Sequence, residues 1–116
     1  MKIILLFILL SSGIEGSFVE EQLLPTKLRV TVIDGLGNFV EEASVTIYEN
    51  EKDYLASENV VSMLKTDKKG RVTFKNLKPI AYYIQANKED KNNNGEGVVT
   101  SPLAEGRINK VNTVIE

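Results

Sequence analysis

The stretch from Leu64 to Lys78 constrains the fold more than any other part of the chain. Leu64 and Thr66 lead into Asp67-Lys68-Lys69-Gly70, and Val72 and Phe74 lead out on the same face, with Arg71, Thr73 and Lys75 on the other. Period-two alternation of β-branched and aromatic residues marks half-buried strands. Asp at the first turn position bonds the backbone ahead of it, and Gly at the last accepts positive φ. The stretch therefore predicts a β-hairpin. Pro79 has no backbone donor and belongs to the connection that follows. Beyond it Tyr82, Ile84 and Ala86 share one face of a strand, and Tyr83 faces the other way.

The same reasoning orders the rest. Lys27–Ile33 alternates Leu28, Val30 and Val32 against Arg29, Thr31 and Ile33, then meets the turn Asp34-Gly35-Leu36-Gly37-Asn38. Val40 reaches toward the core after it. Ala43, Val45 and Ile47 form the inward face of a second strand. From Glu49 to Ser62 neither a two-residue nor a helical period is clean, which predicts a helical turn near Asp53–Ser57 and a strand over Val60–Thr66. A polar loop runs over Lys88–Gly97, a short strand over Val98–Thr100 and a last strand over Arg107–Ile115. In that last strand Val111, Thr113 and Ile115 compete with Ile108 and Val114 for the core. About seven short strands with regular turn signals define an all-β, Greek-key sandwich.

Two motifs carry a family resemblance. Thr66-Asp67-x-x-Gly70-x-Val72-x-Phe74-x-x-Leu77-x-Pro79-x-x-Tyr82-Tyr83-Ile84 resembles the signature of carboxypeptidase regulatory-like domains. Val30-Thr31-Val32-Ile33-Asp34-Gly35-x-Gly37-Asn38-x-Val40-x-x-Ala43-x-Val45-x-Ile47-Tyr48 fits the same pattern upstream. The resemblance implies a transthyretin-like (prealbumin-like) β-sandwich, similar also to collagen-binding B-type repeats. Those repeats imply a Lys–Asn isopeptide bond, for which Lys27 with Asn109 or Asn112 would be the partners. The buried acid it needs is not evident, Glu49 being the nearest. One fold hosts many functions, so the resemblance names a scaffold and no activity.

The domain organisation follows. Lys2, the apolar run Ile3–Leu10 and the small residues after it read as a signal peptide over residues 1–16, with Gly13 and Gly16 both acceptable as the cleavage residue. The run is far short of the ~20 residues of a membrane span. Residues 17–26 read as a linker, with Leu23 or Leu24 resting on the domain, and residues 27–116 as the sandwich. The expected location is periplasmic or secreted, associated with the cell envelope.

Composition removes several kinds of function. The chain has no histidine and no cysteine, which takes away the usual zinc ligands, disulfides and Ser-His or Cys-His nucleophile pairs. A transthyretin-like hydrolase would also need histidines. A net charge of −2 leaves no nucleic-acid footprint. Neighbouring Glu41 and Glu42 alternate faces on an extended chain and do not form a catalytic pair. No catalytic residue is assigned.

Asp90-x-Asn92-x-Asn94-Gly95 reproduces the first half of a calcium loop. Ser101 stands where the bidentate Glu belongs, so the stretch reads as a solvated Asn/Gly loop and no cofactor is expected. Asp90, Asn92 and Asn94 are the ligands if calcium binds. Tyr83, Asn93 and Glu96 are the candidate binding residues. The expectation is a non-enzymatic module that binds an envelope protein through loops or a strand edge, with a carbohydrate-binding module, calcium-assisted or not, as the alternative.

Overall fold

The computed structural model describes residues 24–95 and 97–116. The expected signal peptide, most of the expected linker and Glu96 lie outside the described residues. Seven strands and one helix follow one another: β1 Lys27–Asp34, β2 Ser44–Tyr48, α1 Glu51–Ala56, β3 Ser62–Lys65, β4 Arg71–Phe74, β5 Tyr83–Lys88, β6 Lys91–Asn92 and β7 Ile108–Ile115. They form two sheets, ordered β4-β1-β7 and β3-β2-β5-β6. The all-β sandwich predicted from alternation is the observed architecture.

The alternating residues set the register. β1 runs antiparallel to β4, with Leu28 opposite Phe74 and Val30 opposite Val72. On its other side β1 runs parallel to β7, from Lys27 opposite Ile108 to Asp34 opposite Ile115. In the second sheet Val45 lies opposite Ala86, and Ile47 opposite Ile84. Leu28, Val30, Val32, Val72, Phe74 and Ile115 thus meet Ala43, Val45, Ile47, Tyr82, Ile84 and Ala86 in one core. Each fully buried aliphatic side chain contributes about 2 kcal/mol. β7 resolves its ambiguity in favour of Thr113 and Ile115, and Ile108 stays exposed. The C-terminal end of β7 also reaches the second sheet. Glu116 N–H donates to Asn92 O at 3.0 Å, and Asn92 N–H to Glu116 O at 3.3 Å. This closes one corner of the sandwich.

The hairpin is the main correction. The turn forms as read: Gly70 N–H donates to Asp67 O at 2.9 Å, and Asp67 N–H to Arg71 O at 3.0 Å. Its two arms, however, enter different sheets. β3 pairs with β2 and β4 with β1, so the turn is a corner between layers. Thr66 N–H donates to Ala43 O on one side of it, and Val32 N–H to Gly70 O on the other. The Thr66 hydroxyl adds a second clamp, donating to Val40 O at 2.6 Å and accepting from Ala43 N–H at 2.9 Å. Gly70 is required here. At φ +73° a Cβ would lie 2.6 Å from Val32 O.

Smaller differences have local causes. Leu64, expected inside with Val72, sits on an edge strand and is 40% exposed. Leu24 is exposed and does not rest on the domain. Thr26, expected in the linker, is buried: its carbonyl accepts from Leu77 N–H and its hydroxyl from Gly106 N–H. The expected helical turn is α1, begun by Asn50, whose side-chain oxygen accepts from Asp53 N–H, and ended at Ser57 in left-handed conformation.

Candidate functional site

The Lys88–Gly97 loop is built around Asn93. β5 and β6 form a tight antiparallel pair, Lys88 opposite Lys91, and the chain then turns inward. Asn93 is only 1% exposed. Its oxygen accepts from Ala86 N–H at 3.0 Å, and its nitrogen donates to Ile84 O at 3.0 Å and to the Thr113 hydroxyl at 2.9 Å. One amide thus ties β5 to β7 across the layers. The Thr113 hydroxyl in turn donates to Gly97 O at 3.2 Å. Gly97 has φ +65° and no room for a Cβ beside Asn112 O and Thr113 Oγ1. Asn93 was a binding candidate in the sequence; the structure makes it the internal pin of the loop, because burial requires every polar atom to find a partner.

The other loop candidates lie at the surface. Asp90, Asn92 and Asn94 are exposed. The Asn92 side-chain oxygen accepts from Asn94 N–H at 3.0 Å, an Asx turn that uses one of the expected ligand atoms locally. Among the described residues no cluster of three or more His, Cys, Asp or Glu could hold a metal ion.

Tyr83 faces away from the core, as its position in the strand predicts, and is half-buried. Its ring lies 5.9 Å from that of Tyr54 on α1, tilted by 34°. Tyr54 meets Tyr48 edge-on at 5.8 Å. The Tyr48 hydroxyl donates to Gln85 Oε1 at 3.2 Å. Helix α1 therefore covers this face of the sheet with Tyr54, which is why Tyr48 is buried on the outer side. Tyr82 points inward and accepts from Lys78 N–H at 3.0 Å.

Of the residues a Lys–Asn bond would use, Asn109 and Glu49 are otherwise engaged. Asn109 donates to Lys27 O and Ala104 O and accepts from Ala104 N–H, holding the loop before β7. Glu49 pairs with Lys78 at 3.2 Å.

Two aspartates define the turns at the same end of the sandwich. Asp34 accepts from Leu36 and Asn38 N–H, and Asp67 from Lys69 and Arg71 N–H, all between 2.8 and 3.0 Å. The Asn38 N–H holds the Asp34 carboxyl below its ordinary range, and the Arg71 and Lys69 N–H groups do the same for Asp67. Beside Asp34 an open cleft of about 290 Å³ is lined by Phe39, Val40 and Ile115 together with Glu41, Glu89, Lys88 and Lys91. Lys88 Nζ donates to Glu41 O at 2.8 Å, so one of these cations is already engaged.

A feature the sequence reading missed is the outer edge of β3. Val60, Val61, Met63 and Leu64 are 49, 37, 56 and 40% exposed. The available signal was the lack of any clean period over Tyr54–Leu64. A strand wetted on both faces and along one edge has no single buried face to impose one. The remaining edges are more polar. β4 shows Arg71 and Lys75 outward, and β7 shows Lys110 and Asn112. The far edge of the second sheet is the two-residue β6 continued by Val98–Thr100, where Val99 is exposed alone.

The architecture is that of a small β-sandwich, and solved structures share it. The chain is similar to the Bacillus anthracis TIE protein, with TM-score 0.55 and 22% identity, over 79% of this chain and 17% of that one. It is similar to a streptococcal ancillary pilin, with TM-score 0.54 and 20% identity, over 80% of this chain and 32% of that one. The chain thus spans under a third of the length of either, and the likeness is one of fold. No protein-family model matches the sequence. No curated protein matches it. Among the described residues no helix is long and apolar enough to cross a membrane.

Proposed function

We propose that the chain is a non-enzymatic, exported β-sandwich module of the carboxypeptidase regulatory-like kind that mediates protein–protein contact at the cell envelope. The observation that carries this reading is the β3 edge, paired with β2 on one side and open on the other, with four exposed apolar residues in the five positions from Val60 to Leu64. Such an edge offers backbone hydrogen bonds and apolar contact to an extended segment or strand. The two sandwich neighbours share this fold, and one of them is a streptococcal ancillary pilin, which is in keeping with a surface module. Export rests on the leader-like N-terminus, and the absence of catalysis on a chain without histidine or cysteine.

The test is cross-linking and affinity capture from the native envelope, with the native chain and Met63→Lys compared side by side. A protein captured by the native chain and lost with Met63→Lys is the expected result. Capture unchanged by the substitution would remove the β3 edge from the reading.

Glycan binding is the second reading, favoured by the half-buried Tyr54–Tyr83 pair, whose tilted rings present aromatic surface beside α1. It predicts a glycan-array signal that Tyr83→Ala abolishes. A calcium-assisted version predicts a rise in Tm with millimolar calcium that Asp90→Ala removes.

A further inference from the structure

We infer that the β3 edge pairs with the β3 edge of a second copy of this chain, antiparallel, about a two-fold axis. This rests on the proposal that the edge is a docking surface and names its occupant.

The backbone provides the first half of the argument. Thr66 N–H bonds to Ala43 O in the ladder with β2. In an antiparallel ladder alternate residues point their N–H and C=O groups to opposite sides. The groups of Met63 and Lys65 therefore face the open edge. A short strand of this kind can pair with any extended chain, so the backbone alone does not choose a partner.

The charges choose it. Asp53 and Glu58 stand at the start of the strip, joined to it through the Asp53 Oδ1–Asn59 contact of 3.0 Å, with Lys52 the cation of α1. Lys65, Lys68 and Lys69 stand at its end, with Arg71 beyond the turn. The acids at that end are Asp67, tied to its own turn, and Glu42, whose N–H bonds Thr66 O. The strip is thus acidic where it begins and predominantly basic where it ends. A parallel pair would set Lys65 against Lys65. An antiparallel pair sets the Glu58 end of each copy against the Lys65–Lys69 end of the other, twice over, as two-fold symmetry requires. It also covers Val60, Met63 and Leu64 of both copies at once. Charge complementarity of this kind fixes register and excludes the wrong orientation.

Charge exchange provides the test, read by sedimentation equilibrium. The native chain is expected to dimerise. Glu58→Lys, and separately Lys65→Glu with Lys68→Glu, should each raise the dimer Kd by about tenfold or more, because each sets like charges face to face. Mixing the two variants should restore dimers, since both contacts are then attractive again. All the substituted side chains are exposed, and circular dichroism confirms that each variant folds. A native chain that stays monomeric, or a dimer whose Kd neither variant changes, overturns the inference. A monomeric chain that still loses an envelope partner on Met63→Lys would overturn it and leave the proposed function standing.

Discussion

At the scale of the residue, three adjacent asparagines have different fates. Asn92 and Asn94 are exposed, and Asn93 is buried with its amide bonded to both layers. Asn93→Ala strands Ala86 N–H, Ile84 O and the face of Thr113 it served, and should cost about 3 kcal/mol in urea denaturation. Asn94→Ala, at the surface, should stay within about 0.5 kcal/mol. The aspartates of the two turns make stability depend on acid. Backbone N–H groups favour the ionised form of Asp34 and Asp67 in the folded chain, lowering each pKa from 3.8. Their contribution is complete above that ordinary value and is lost as pH falls through the lowered one. Tm should therefore decline on acidification below about pH 4. Asp67→Asn, which keeps the acceptor oxygen but no longer titrates, should flatten part of that decline.

At the scale of the element, local chemistry specified turns and caps well. The two Asp-led turns and the alternation that turns Tyr82 inward just before β5 and Tyr83 outward at its start follow from short-range rules. Helix α1 has too few residues to persist by itself. Its cap and the contact of Tyr54 with Tyr48 and Tyr83 hold it. Asn50→Ala should lower stability by about 1 kcal/mol, measured by thermal unfolding. The corner at Asp67–Gly70 shows the limit of local reading. A turn fixes how the chain reverses, but the partner of each arm is set by β2 and β1, which lie well outside the turn in sequence: Ile47 pairs with Ser62, and Leu28 with Phe74.

At the scale of the whole molecule, the sheets are joined at a corner, and of the open edges that of β3 shows the most apolar residues. Glu116 and Asn92 join the sheets where β6 meets β7, and nothing among the described residues covers the outer side of β3. If that edge pairs through opposed charges, association should weaken as salt rises. A Debye length of about 10 Å at 0.1 M falls to about 3 Å at 1 M, screening exposed pairs first. Sedimentation equilibrium at low and high salt measures this, and a Kd indifferent to salt would argue for a purely apolar contact.

The sequence by itself determined the sandwich, the inward faces of β1, β2, β4 and β5, the Asp-led turns and the outward direction of Tyr83. Each of these depends on residues that lie close together in the chain, where alternation and turn chemistry act directly. Only the tertiary structure decided that Asn93 is a core residue, that the arms of the central turn part into different sheets, and that the apolar residues from Val60 to Leu64 stay in water. These depend on which distant strand arrives at each edge. A polar side chain is drawn into the core when partners from β5 and β7 converge on it, and an apolar one is left outside when no strand reaches its side of the sheet.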